Sequence, residues 1–152
     1  MKRLLLWGHD QAVLDFVADR APIERPTWRD VAAAVGILRE DGALIGGVVL
    51  AEYRPEFSRC ELSVAGVSSL LVDTRCVQEL GAFAFGQLSN FRIFARTSDR
   101  NERAKRALKA LGFKQEGVWV HWYGRGHHAS NWRIIRPEWE ARWGSIETRK
   151  AA

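Results

Sequence analysis

Apolar positions along this chain change their spacing several times, and each change marks a new element. Leu4 to Trp7 is a short apolar run that reads as a strand. From Asp10 to Arg20 the residues Val13, Phe16 and Val17 stand at i, i+3 and i+4 among charged neighbours, which predicts an amphipathic helix. Pro22 and Pro26 break the next stretch into a loop. Val31 to Leu38 and Ala43 to Tyr53 are apolar runs joined by Glu40-Asp41-Gly42, a hairpin signal, and Pro55 marks another turn. Beyond it Cys60, Leu62 and Val64 alternate with Arg59, Glu61 and Ser63, the period of a third strand with one buried face.

The spacing then becomes helical. Val77, Leu80, Ala84 and Leu88 predict a helix over 75–88, Phe91 to Thr97 a strand, and Ala104, Ala107, Leu108 and Leu111 a second helix over 101–111. Asn101, or a box of Asp99 with Glu102, is placed to cap that helix, and Gly112 to end it in a left-handed conformation. Phe113 to Tyr123 and His128 to Ile135 read as strands around Gly124-Arg125-Gly126, and Pro137 opens a short final helix ending near Trp143. Three meandering strands followed by strands that alternate with helices predict an α+β domain: a mixed, mostly antiparallel sheet flanked by helices. Residues 1–147 are expected to form that single domain and 148–152 a loose tail.

Composition narrows the function classes. The chain has 152 residues, 47% of them hydrophobic and 27% charged, enough for one closed core. No apolar run nears the roughly 20 residues of a membrane span and the N-terminus lacks a secretory signal, so no membrane partner and a cytoplasmic location are expected. Cys60 and Cys76 have no zinc-like or disulfide-framework spacing, so no metal is expected. The formal charge of +5 favours an anionic partner: nucleic acid, acidic protein or a phosphorylated cofactor.

The segment Asn101-Glu102-Arg103-Ala104-Lys105-Arg106-Ala107-Leu108-Lys109-Ala110-Leu111-Gly112-Phe113, followed by Glu116-Gly117, resembles the N-x-x-A/S-x-x-x-L-x-x-L-G-F…E-G run of GNAT acetyltransferases. Phe83-Ala84-Phe85-Gly86-Gln87-Leu88 before Phe91-Arg92-Ile93 is similar to the branch that acetylates protein N-termini and ribosomal proteins, and to small phage-encoded relatives. The resemblance spans about Ile45 to Trp139 and is specific between Ala82 and Gly117. It implies a splayed sheet and an N-acetyltransferase in which an amine attacks acetyl-CoA directly.

On that resemblance the pantetheine arm of acetyl-CoA pairs with the strand edge at Leu62, Ser63 and Val64, and the pyrophosphate meets the helix start at Thr74, Arg75 and Cys76. The glycine-rich phosphate loop of the family is reduced to Gly81. Asn101 and Ala104 fall on cofactor-binding positions, with Arg103 and Arg106 directed to the 3′-phosphate. The base falls on Glu61, then Glu52. The family's acid tyrosine is replaced by Leu108, leaving Tyr123 or His121 as substitutes. A thiol at a helix start, as at Cys76, is expected to have a lowered pKa, but without a histidine partner it is not assigned as a nucleophile.

The acceptor amine, on a protein, a small molecule or a modified base, is not encoded in any motif. Two other readings remain at this level: a catalytically weak GNAT-fold binding or regulatory module, and a nucleic-acid contact through Trp119, Trp122, Trp132, Arg125 and Arg133. The aromatic C-terminal strand also offers an edge on which two copies pair as a homodimer.

Overall fold

A computed structural model describes residues 2–23, 25–66 and 73–146. In chain order it contains β1 (Leu4–Leu6), α1 (Asp10–Asp19), β2 (Ala33–Leu38), β3 (Leu44–Arg54), β4 (Arg59–Ala65), α2 (Thr74–Gly81), β5 (Arg92–Ser98), α3 (Glu102–Leu111), β6 (Lys114–Trp119), β7 (Ala129–Ile135) and α4 (Arg136–Trp143). Seven strands form one sheet in the order β1-β2-β3-β4-β5-β7-β6, antiparallel at every junction except β4–β5. The α+β sheet with flanking helices expected from the hydrophobic spacing is the fold observed. The expected tail, 148–152, lies outside the described residues.

Local chemistry explains most boundaries. Asn101 caps α3 by accepting from the Ala104 N–H at 3.0 Å, while Asp99 turns instead to the Lys105 ammonium at 3.4 Å. Gly112 closes the same helix at φ +102°, where a side chain is disfavoured. Two boundaries depart from the sequence expectation. The helix over 75–88 is regular only to Gly81; from Ala82 to Gln87 the winding widens to a π-helix, with Leu88 N–H reaching the Phe83 carbonyl at 2.9 Å. That extra residue per turn lets Ala84 and Phe85 both enter the core. The strand expected to reach Tyr123 stops at Trp119, because positive φ at His121, Gly124 and Gly126 turns the backbone out of the sheet.

Burial separates the two faces of the sheet. The larger core joins Cys60, Ile93, Ala95, Trp132 and Ile134 to the inner faces of α2, α3 and α4. Gly81 is required there, since a Cβ at this position would stand 2.1 Å from Trp139 Nε1. On the opposite face α1 packs, with Val13 and Val17 against Ala34, Val49 and Ala51. The groove face of β4, β5 and β7 carries polar side chains instead.

Candidate active site

The parallel junction holds for only three register pairs, Arg59↔Arg92, Cys60↔Ile93 and Glu61↔Phe94. Past Glu61 the two strands part: β4 follows β3 as far as Ala65, and β5 follows β7 as far as Ser98. Leu62, Ser63 and Val64 therefore pair with Leu50, Val49 and Val48 on one side and, among the described residues, have no strand on the other. Ala104, Ala107 and Leu108 of α3 line the gap with small or apolar groups. The resulting cleft has a volume of about 1080 Å³ and runs from α3 through the sheet to the α1 face.

Glu61 and Glu52 both line this cleft. Glu61 alternates with buried Cys60 and so points to the groove face, where its side chain retains 17% exposure. Burial pushes its carboxyl above the ordinary value; the Arg96 guanidinium, 3.8 Å away, pulls it down, and Glu52 pushes it up again. Glu52 enters the cleft from a bulge in β3, with φ +49° and its N–H donating to the Arg29 carbonyl at 2.9 Å. Such a bulge re-aims one side chain out of the pleat. A carboxylate whose pKa burial raises, standing in a cleft, is suited to accept a proton from an acceptor bound there.

Asn101 and Ala104 also line the cleft, whereas Arg103 and Arg106 are exposed on α3 outside its lining. Thr74, Arg75 and Cys76 do not line it either. At the start of α2 the N–H groups of Arg75 and Cys76 already donate to the Asp73 carboxylate, at 3.0 and 3.3 Å, so the helix end is occupied by an acid of the chain itself. The thiol expectation is reversed: burial, followed by the charge of Asp73, pushes Cys76 up to about 11, and its Sγ donates to the Arg3 carbonyl at 3.5 Å. Burial in the folded protein, which the local motif does not show, decides that sign.

Tyr123 lines the cleft from the turn after β6, with its ring 5.5 Å from His127. His121 instead serves the turn, accepting from the Gly126 N–H at 2.7 Å. Two site residues, Ser98 and Asn131, had no sequence signal. Ser98, at the end of β5, lies 2.7 Å from His127 Nε2. Asn131 lines the cleft beside Arg96, and its side-chain nitrogen is buried with no partner among the described residues. Trp119 and Trp122, two of the aromatic residues named from the sequence, meet at 4.6 Å with their rings tilted by 54° under Arg96 and remain about half exposed, at 46% and 51%. Among the described residues no cluster of three or more His, Cys, Asp or Glu side chains is arranged to hold a metal, and no helix is long and apolar enough to cross a membrane.

No protein-family model matches the chain, and no curated protein matches it by sequence. Solved structures do resemble it. Mutant forms of the spermidine/spermine N-acetyltransferase SpeG from Vibrio cholerae superpose with a TM-score of 0.73 at 15% identity, covering 93% of this chain and 99% of that one. The spermidine N-acetyltransferase from Vibrio cholerae in complex with CoA and spermine gives a TM-score of 0.71 at 15% identity, over 90% of this chain and 97% of that one. At this identity the shared property is the fold: this chain has the splayed mixed sheet of those N-acetyltransferases.

Proposed function

We propose that the chain is an acetyl-CoA-dependent N-acetyltransferase that modifies a primary amine within the splayed cleft. The observation that carries this reading is the parting of β4 and β5 immediately beyond Glu61, which sets an open strand edge beside a carboxylate held above its ordinary pKa. The fit to acetyl-CoA rests on that edge. Leu62, Ser63 and Val64 offer unpaired backbone groups to a pantetheine amide chain, and Ala104 and Ala107 leave room for it against α3. Asn101 sits at the same wall. Asp73 disfavours phosphate at the N–H groups of Arg75 and Cys76, so the exposed Arg75 side chain, with Thr74, is the remaining contact assigned at that end. Arg103 and Arg106 are assigned to the 3′-phosphate from outside the cleft.

Acetyl-CoA supplies a thioester whose C–S bond breaks as the acceptor nitrogen forms an amide, with CoA leaving as the thiol. The protein's part is proton management and position. Glu61 takes one proton from the acceptor ammonium, directly or through water, and Glu52 adds negative charge that holds the ammonium in place. Tyr123 is assigned as the hydroxyl that returns a proton at the sulfur, in place of the tyrosine that Leu108 replaces. Asn131 offers its unpartnered donor to an oxygen in the cleft. Acetyl transfer is tested by thiol release from acetyl-CoA over an amine panel. Glu61→Gln is expected to lower turnover by about 100-fold or more while the protein stays folded, in the range set by loss of a general base. Full activity in that variant contradicts the assignment.

The solved neighbours act on spermidine and spermine, but the acceptor side of this cleft does not suit a polycation. Its lining includes Arg20, Arg25, Arg29, Arg54, Arg59, Arg92 and Arg96 against three carboxylates, Glu52, Glu61 and Glu116.

A further inference from the structure

Strand register places Arg54, Arg59 and Arg92 side by side across β3, β4 and β5, because Arg59 pairs with Arg54 on one side and with Arg92 on the other. All three line the cleft. Residues in register on neighbouring strands share a face and stand about 5 Å apart, where like charges directly opposed are destabilising. The outer two are compensated: Arg54 meets Asp30 at 2.6 Å and Arg92 meets Glu116 at 2.5 Å. Arg59, in the middle, has no carboxylate within ion-pair distance among the described residues and rests only over the Phe57 ring, 5.1 Å away. Arg29, whose carbonyl holds the Glu52 bulge, likewise lacks a carboxylate partner and lines the same wall.

Arg59 stands two residues before Glu61 on the same face of β4, so the two Cα atoms are about 7 Å apart. The cleft thus presents a carboxylate pair for an ammonium and, one step along the strand, a guanidinium, Arg59, with no carboxylate partner among the described residues. We infer that the acceptor is an amine carrying its own negative group, a carboxylate or a phosphate, which docks on Arg59 and Arg29 while the amine reaches Glu61. Guanidinium groups suit both anions, binding them through paired N–H donors. This rests on the transferase reading and names the acceptor class for that same site.

The test compares four probes of equal chain length: diaminohexane, hexylamine, aminohexanoate and aminohexyl phosphate. Binding is measured by calorimetry in the presence of CoA, and turnover by thiol release. The expected result is that at least one anionic amine binds and turns over about tenfold or more better than hexylamine, with diaminohexane the weakest, as a difference of one charge-assisted contact predicts. The two anionic arms show whether carboxylate or phosphate is preferred. Arg59→Gln should collapse the ratio between the anionic amine and hexylamine, and Arg59→Glu should reverse it in favour of the diamine. Arg59 is exposed, so neither change disturbs the core. Binding that favours the diamine, or that is indifferent to tail charge, overturns the anionic acceptor. Binding that favours the anionic tails without any turnover leaves the anion site standing and contradicts the transferase reading instead.

Discussion

Glu61 and Arg96 face each other at 3.8 Å where β4 and β5 separate, so burial raises the carboxyl pKa while the neighbouring guanidinium lowers it. The opposing influences give a signed prediction. The acid limb of kcat/KM should lie above the ordinary glutamate value of about 4.3. Arg96→Gln, which removes the lowering interaction, should move that limb to higher pH; Glu52→Gln, which removes a raising one, should move it to lower pH. The acceptor's own ionisation is common to all three proteins, so differences between their pH profiles isolate Glu61. Identical limbs in all three would show that Glu61 does not govern the profile.

The same burial has a consequence for stability. Because the folded protein raises the Glu61 pKa, it binds a proton more readily than the unfolded chain, and stability falls as pH rises from the unfolded value through the folded one. Glu61→Gln removes a partly buried charge at neutral pH. Its melting temperature should therefore exceed that of the wild type at pH 7, with the gap closing below about pH 4, where both side chains are neutral. Thermal melts across that range check it; a variant less stable than the wild type at neutral pH would contradict the desolvation of Glu61.

Within the larger core, the Trp132 indole N–H donates to Ser130 Oγ at 2.7 Å, and both residues are at most 1% exposed. Ser130→Ala leaves that donor unsatisfied beneath the cleft. Urea unfolding should show a loss of about 1–3 kcal/mol, the desolvation cost of an orphaned buried group. A change under about 0.5 kcal/mol, typical of a surface substitution, would mean that the indole finds another acceptor.

The legible parts of this fold are those specified by neighbours in sequence. Asn101 and Gly112 bracket α3 because capping is a matter of one turn, and the alternation around Glu61 assigns its face within a single strand. Glu61, Glu52, Leu62 to Val64, Asn101, Ala104 and Tyr123 all come together at the cleft lining. What the sequence could not reveal depends on remote segments. The arginine row exists only through the registers of three strands, and the sign of the Cys76 shift depends on its burial in the folded protein. The Ser98–His127 contact joins the end of β5 to a turn whose shape follows from three positive φ angles. At the start of α2, the capping of the N–H groups at Arg75 and Cys76 by Asp73 emerges only from the folded geometry.

Acetyl-CoA is assigned to the gap between β4 and α3, and calorimetric titration of acetyl-CoA into the wild type and Ala104→Trp tests that assignment. Ala104 lines the gap opposite the open edge and is only partly buried, so a larger side chain there fills the cleft rather than the core. The account predicts one-to-one binding in the micromolar range for the wild type, about −8 kcal/mol, and a loss of about tenfold or more in the variant. No binding at millimolar acetyl-CoA, or equal binding by the two proteins, would contradict it.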